Sequence, residues 1–137
     1  MADTIRRVDY YYTTVPDRPG EGARLLDLLR RAGVNLLAFS AFPSARKSQL
    51  DFVPADPAAF VAAARQAGIK MSKAKQTFLI DGSDRVGAIA EVLDELAAAK
   101  INVTALDAVC AGGGRYGAIL WVKPRDVNKA AMLLGAV

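Results

Sequence analysis

The sequence predicts an α+β fold made of two tandem modules, each an antiparallel sheet carrying helices on one face. Three observations predict it. One stretch of the chain recurs at a fixed offset, strand-like and helix-like runs follow one another in the same order in both halves, and turn residues separate them.

The repeat is read directly. The segment Asp17-Arg-Pro-Gly-Glu-Gly-Ala-Arg-Leu-Leu-Asp-Leu-Leu-Arg-Arg-Ala-Gly-Val-Asn35 aligns with Asp84-Arg-Val-Gly-Ala-Ile-Ala-Glu-Val-Leu-Asp-Glu-Leu-Ala-Ala-Ala-Lys-Ile-Asn102. At an offset of 67, nine of nineteen positions are identical, where chance gives about one or two. Duplication explains this and divides the chain into residues 1–72 and 73–137.

In the first half, residues 10–15 are rich in aromatic and β-branched types and read as a strand. Residues 20–32 place apolar side chains at 22–23, 25–26, 29 and 32–33, one face of a helix, with Asp27 and Arg31 spaced to pair on the other. Gly33 suits the helix end. Residues 34–42 and 49–53 read as strands around a turn at 43–48. Asp56-Pro57 opens a second helix over 58–67, a capping side chain followed by proline in the first turn. Gly68 closes it, and residues 69–72 have the makings of a short fourth strand.

The second half follows suit: a strand at 77–80, a helix at 85–99, strands at 101–110 and 116–122 around three consecutive glycines, and a helix at 126–134 with Asp126 as its cap. Strand–helix–strand–strand–helix is the split βαβ, ferredoxin-like order. The second half ends at Val137, so its module lacks its last strand. An unpaired edge of that kind tends to be covered, and contacts between the halves or a dimer are expected to do it.

Composition narrows the chemistry. The chain has 137 residues, 53% hydrophobic and 23% charged, with no histidine and one cysteine. Imidazole catalysis, His-ligated metal and an intramolecular disulfide are therefore excluded, and no catalytic residue, metal site or cofactor is expected. The net charge of +4 is scattered rather than gathered into a stripe, so nucleic acid is not an expected partner. No apolar run is long enough to span a bilayer, and residues 1–7 do not resemble a signal peptide, so the cytoplasm is the expected location. Cys110 and Trp121 read as buried, Tyr10-Tyr11-Tyr12 as one ring on one sheet face and two on the other, and Lys70, Lys73 and Lys75 as a solvated link.

Chemistry can sit at the repeated loop. A helix N-terminus offers unpaired N–H groups to a carboxylate. Asp17 or Asp84 can accept hydrogen bonds from an ammonium group, Gly20 or Gly87 allows close approach, and Asn35 and Asn102 can both donate and accept. On composition alone, structure by itself explains the same residue types fully. The aspartates would then cap helices, the glycines would allow tight packing, and the asparagines would tolerate a left-handed turn.

The paired patterns, Asp-Arg-Pro-Gly with a helix and Gly-Val-Asn, and Asp-Arg-Val-Gly with a helix and Lys-Ile-Asn, resemble the ACT domain. Two copies in this order of elements resemble the stand-alone tandem ACT proteins over nearly the whole chain. The resemblance implies a non-enzymatic regulatory module binding a small amino acid at an ACT–ACT interface, a homo-oligomer such as a dimer, and a metabolic enzyme or regulator as the controlled partner. Residue by residue it points to Asp17, Arg18, Pro19, Gly20, Glu21, Asn35 and Leu36, and to Asp84, Arg85, Gly87, Asn102 and Val103 in the second copy. Val86 stands where the family's loop has proline, so the first loop is the closer match. A ligand-free structural or regulatory subunit acting through protein contacts is the alternative.

Overall fold

The structure, a computed structural model, describes residues 3–137. The chain forms two compact units, residues 9–75 and residues 1–8 with 76–137.

The first unit follows the expected order with small shifts at the ends: β1 (Thr4–Pro16, of which residues 9–16 belong here), α1 (Glu21–Arg31), β2 (Leu36–Ser44), β3 (Lys47–Pro54) and α2 (Pro57–Gln66). Its strands run β2–β3–β1, antiparallel throughout, with Tyr11 and Phe39 both opposite Phe52. Alternation puts Tyr11 and Val15 into a core with Leu25, Leu29, Leu50, Phe52 and Phe60. Tyr10 and Tyr12 point to the other face, as expected. The Asp27–Arg31 pair forms at 2.8 Å, and Asp56 caps α2 through Ala59 N–H at 3.2 Å. The turn is tighter than residues 43–48, because Ser44 already pairs with Lys47 and only Ala45 and Arg46 remain, at φ 50° and 69°. Two left-handed residues in a two-residue loop match the right-handed twist of the flanking strands.

Residues 69–72 do not form a regular strand. They lie beside β1, where Ser72 N–H donates to Tyr12 C=O at 2.9 Å and Tyr12 N–H donates to Ser72 Oγ at 2.9 Å. Thr13 Oγ1 donates to Lys70 C=O at 2.8 Å. Side chains replace ladder bonds there, so the pairing is irregular. Lys75 is no loose linker: it begins the next strand, and its Nζ sits 5.6 Å from the centre of the Tyr12 ring.

Asp51 occupies the helix-free face of β3 and is 5% exposed. Burial pushes its carboxyl up, against an opposing hydrogen bond from Gln49 Nε2 at 2.9 Å and the charge of Lys75. A raised value means the stabilisation belongs to the protonated form and is lost as pH rises through the folded-state value. At neutral pH the carboxylate is a cost. Asp51→Asn keeps an acceptor for Gln49 and removes the charge. It is expected to raise stability at neutral pH by on the order of 1 kcal/mol, with the difference closing in acid. Urea denaturation under both conditions checks this; a variant weaker at neutral pH contradicts it.

The second unit contains β4 (Lys75–Ser83), α3 (Ala88–Ala98), β5 (Val103–Gly112), β6 (Arg115–Val122), a 3-10 turn (Pro124–Asp126) and α4 (Val127–Leu134). Asp126 makes no side-chain cap, contrary to expectation, because the 3-10 turn carries the chain into α4. Nor does α3 start at residue 85: Gly87 is its N-cap at φ 79°. The strand order is β1–β4–β6–β5. Phe78, Ile80, Leu96, Leu120 and Ala130 make the core, Phe78, Leu96 and Leu120 with no exposed surface.

No strand follows α4. Residues 4–8 of β1 take the fourth place, beside β4, and Ile5 enters this unit's core. The chain end joins the same segment, with Val137 N–H donating to Ile5 C=O and Arg7 N–H donating to Val137 C=O, each at 3.0 Å. The start of the chain thus covers the edge that the second half leaves open, which is why residues 1–8 group with 76–137 rather than with the half they begin.

Trp121 is buried, on the sheet face away from the helices. Cys110 is exposed, which corrects the expectation of a buried small residue. It lies on the edge strand β5, whose burial fades beyond Leu106 as the hairpin runs past the helices. The neighbouring Asp84 carboxylate pushes its thiol above the ordinary value, so it is not activated.

Candidate functional sites at the two repeated loops

The first loop runs from the end of β1 into α1. Arg18 N–H donates to Pro16 C=O at 2.9 Å and tightens it. Pro19 is exposed, and Gly20 is the N-cap of α1 at φ 91°, with nothing within 4 Å of where a Cβ would stand. Glycine suits that backbone conformation, and nothing in the chain packs tightly against it. Glu21 opens the helix, where a negative charge is favourable. It accepts from Arg18 Nε at 2.9 Å and Arg24 at 3.2 Å, and these bonds hold its carboxyl below the ordinary value. Asp17 caps no helix; its Oδ1 accepts from Ser48 Oγ at 3.2 Å, across to the start of β3. Arg18 keeps 68% of its side chain exposed. The loop therefore presents a solvent-facing guanidinium and a carboxylate, the two charges a zwitterion would meet.

The second loop has the same backbone and different company. Gly87 again caps in the left-handed region with open space around its Cβ position. Asp84 N–H donates to Gly114 C=O at 2.9 Å, tying the loop to the β5–β6 hairpin. Arg85 is only 27% exposed and is held by Asp3, Ser83 and Glu91.

Asn35 and Asn102 are not the left-handed residues. Those are Gly33 at φ 74° and Lys100 at φ 59°, two positions earlier. Asn35 C=O accepts from Ala55 N–H at 2.9 Å, and its side chain is exposed. Leu36 and Val103, which open β2 and β5, are part-buried against their own cores.

Strand register shows how these residues are distributed. Pro16 and Ser44 both face Lys47, so the first loop lies at the hairpin end of its sheet, while Leu36 faces Pro54 at the other end. The second unit repeats this, with Ser83 and Gly112 facing Arg115 and Val103 facing Val122. The 11 residues of α1 separate loop from asparagine by about 16 Å at about 1.5 Å per residue. Within one module, then, Asp17, Arg18, Pro19, Gly20 and Glu21 come together, and Asn35 with Leu36 stands apart from them. Asp84, Arg85 and Gly87 are likewise separated from Asn102 and Val103.

Sequence reasoning missed Ser48, Gly82, Tyr116 and Asp3, all of which touch these loops. Ser48 and Tyr116 reach them through hairpin register, and Asp3 through a strand pairing some eighty residues away in sequence. No local pattern signals such partners.

Among the described residues, no group of three or more His, Cys, Asp or Glu side chains could hold a metal, and no helix is long and apolar enough to cross a membrane. No family model matches the chain, and no curated protein does. Solved structures do. The chain is similar to protein BT0572 from Bacteroides thetaiotaomicron, at 16% identity and a TM-score of 0.81, covering 97% of this chain and 88% of that one. It is similar to the regulatory subunit of aspartate kinase from Thermus thermophilus, at 14% identity and a TM-score of 0.63, covering 98% and 95%. The regulatory subunit of aspartate kinase from Thermus flavus matches at 15% identity, a TM-score of 0.61 and the same coverage. These likenesses are of fold, and they extend over almost the whole chain. A βαββα order that occurs twice, six strands and four helices in all, together with these likenesses over almost the whole chain, gives this protein the tandem ACT fold.

Proposed function

We propose that this chain is a non-enzymatic regulatory module that binds a small amino acid at an ACT–ACT interface and passes that state to a partner protein. The observation that carries the reading is the division of the loop residues and the asparagines between opposite ends of α1. A small amino acid is far shorter than about 16 Å (11 residues at the helical rise), so contact with both sets requires the loop of one module and the asparagine of another. A ligand that bridges two modules favours one arrangement of them, which is the physical basis of a signal. The regulatory subunits of aspartate kinase with the same fold are consistent with such a role. The first loop is the better candidate, because Arg18 and Asp17 face solvent.

A thermal-shift screen of the twenty amino acids tests this. A ligand at 100 times its dissociation constant should stabilise the fold by about 2.7 kcal/mol. Asp17→Ala and Asn35→Ala are each expected to weaken that ligand roughly tenfold or more, the scale of one lost charge-assisted hydrogen bond. No shift with any amino acid removes the sensing role; unchanged affinity in both variants moves the site elsewhere.

One observation favours the second reading, a ligand-free subunit working through protein contacts. β5 is an edge strand, exposed along most of its length, with Asp107 as its one charged residue and Val109 68% exposed. Unguarded edges of that kind pair with other chains. A stable partner in pull-down, with no response to amino acids, would establish that reading.

A further inference from the structure

We propose that the second loop is closed by the chain's own carboxylate, Asp3, so that a free amino acid carboxylate is taken at the first loop alone. This rests on the reading above for the ligand, but its structural half stands by itself.

The repeat equates Arg18 with Arg85 and Val15 with Gly82. Arg85 faces Asp3 as a fork, Nη1 to Oδ1 at 3.0 Å and Nη2 to Oδ2 at 3.3 Å. Its remaining contacts are Nη1 to Ser83 C=O at 3.1 Å and Nη2 to Glu91 Oε2 at 3.0 Å. Two parallel bonds of this kind are how a guanidinium recognises any carboxylate. The Asp3 side chain is 7% exposed.

Gly82 makes the room. Its φ is ordinary, so conformation does not require glycine there. A Cβ at Gly82 would overlap Asp3 Oδ1 and lie 2.9 Å from both Asp3 Cγ and Tyr116 Cε1. The Tyr116 phenol, pushed up to about 12 by burial and by the neighbouring Asp3, closes the other side. Burial alone would raise the Asp3 carboxyl, yet the hydrogen bonds and charge of Arg85 take it below its ordinary value, so it stays ionised.

None of this exists at the first loop. Val15 fills the place of Gly82 and is buried in the core. The segment beside β1 there, residues 69–72, carries no carboxylate, and the Arg18 guanidinium, among the described residues, pairs with Glu21 at the start of α1. One guanidinium of the repeated pair is spent internally, and the other faces solvent.

The test uses the full chain and formate, the smallest carboxylate. In Asp3→Ala, formate is expected to raise the melting temperature saturably by several degrees at constant ionic strength, with chloride ineffective. Wild type should not respond, and Asp3→Ala with Arg85→Met should lose the response. Equal response in wild type and Asp3→Ala, or a response that survives Arg85→Met, overturns the proposal. If Asp3→Ala is unfolded in buffer, circular dichroism decides: refolding by formate supports the proposal, and no refolding overturns it. With an amino acid that binds wild type, calorimetry should count one site in wild type and two in Asp3→Ala; an unchanged count overturns the closure. If no amino acid binds wild type, the sensing role fails while the formate result still decides the closure.

Discussion

Starting the chain at Asp9 should abolish cooperative folding of residues 76–137. The shortened chain loses Ile5 from the core, the strand beside β4, both backbone bonds to Val137 and the Asp3–Arg85 pair. Loss of the buried Ile5 side chain alone costs about 2–5 kcal/mol, a large share of what a domain of this size has in total. The exposed edge of β4 would add a second effect, since an unpaired strand recruits other chains. Chemical denaturation followed by Trp121 fluorescence, with sedimentation to detect association, reads both. A shortened chain with unchanged unfolding and unchanged mass would show that residues 1–8 are not needed by the second unit.

Phe60→Ala should be nearly as damaging to residues 9–75. Phe60 has no exposed surface and sits between Tyr11, stacked at 5.1 Å between ring centres, and Phe52, at 5.4 Å. Removing it leaves a cavity walled by rigid rings that cannot collapse, and Phe→Ala in such cores costs about 3–5 kcal/mol. Phe60→Leu, which keeps most of the volume, is expected to lose far less. Urea midpoints compare the three proteins. If Phe60→Ala and Phe60→Leu cost the same, packing of the ring is not what holds α2 to the sheet. The amino-acid screen should then be run on Phe60→Leu as well, because the first loop hangs on the same unit and its response reports whether the core positions it.

Much of this was legible in the chain itself. Periodicity and capping residues placed four helices and the six main strands, and the offset of 67 showed that the fold is built twice. Local rules suffice for that, because a helix face or a strand alternation is written within a dozen residues. The repeated Asp-Arg-x-Gly loops were visible for the same reason. The glycines at positions 20 and 87 were visible too, but not the left-handed caps they form, which are a conformational reason for glycine there.

The tertiary structure alone decided what each loop has around it. Nothing near Gly82 in sequence says that a carboxylate just ahead of the first strand will rest against it, or that Arg85 will be consumed while Arg18 is left open. The helix at 127–134 was legible in the pattern of its own residues, but not that residues 4–8 would lie beside β4. Likewise the asparagines follow the loops by a fixed count of residues, and only strand register shows them at the far end of the sheet. Short-range patterns are set by the chain's own geometry. Which distant segments meet is set by the pairing of sheet edges and the burial of side chains such as Ile5, and those terms act between residues that no local reading connects.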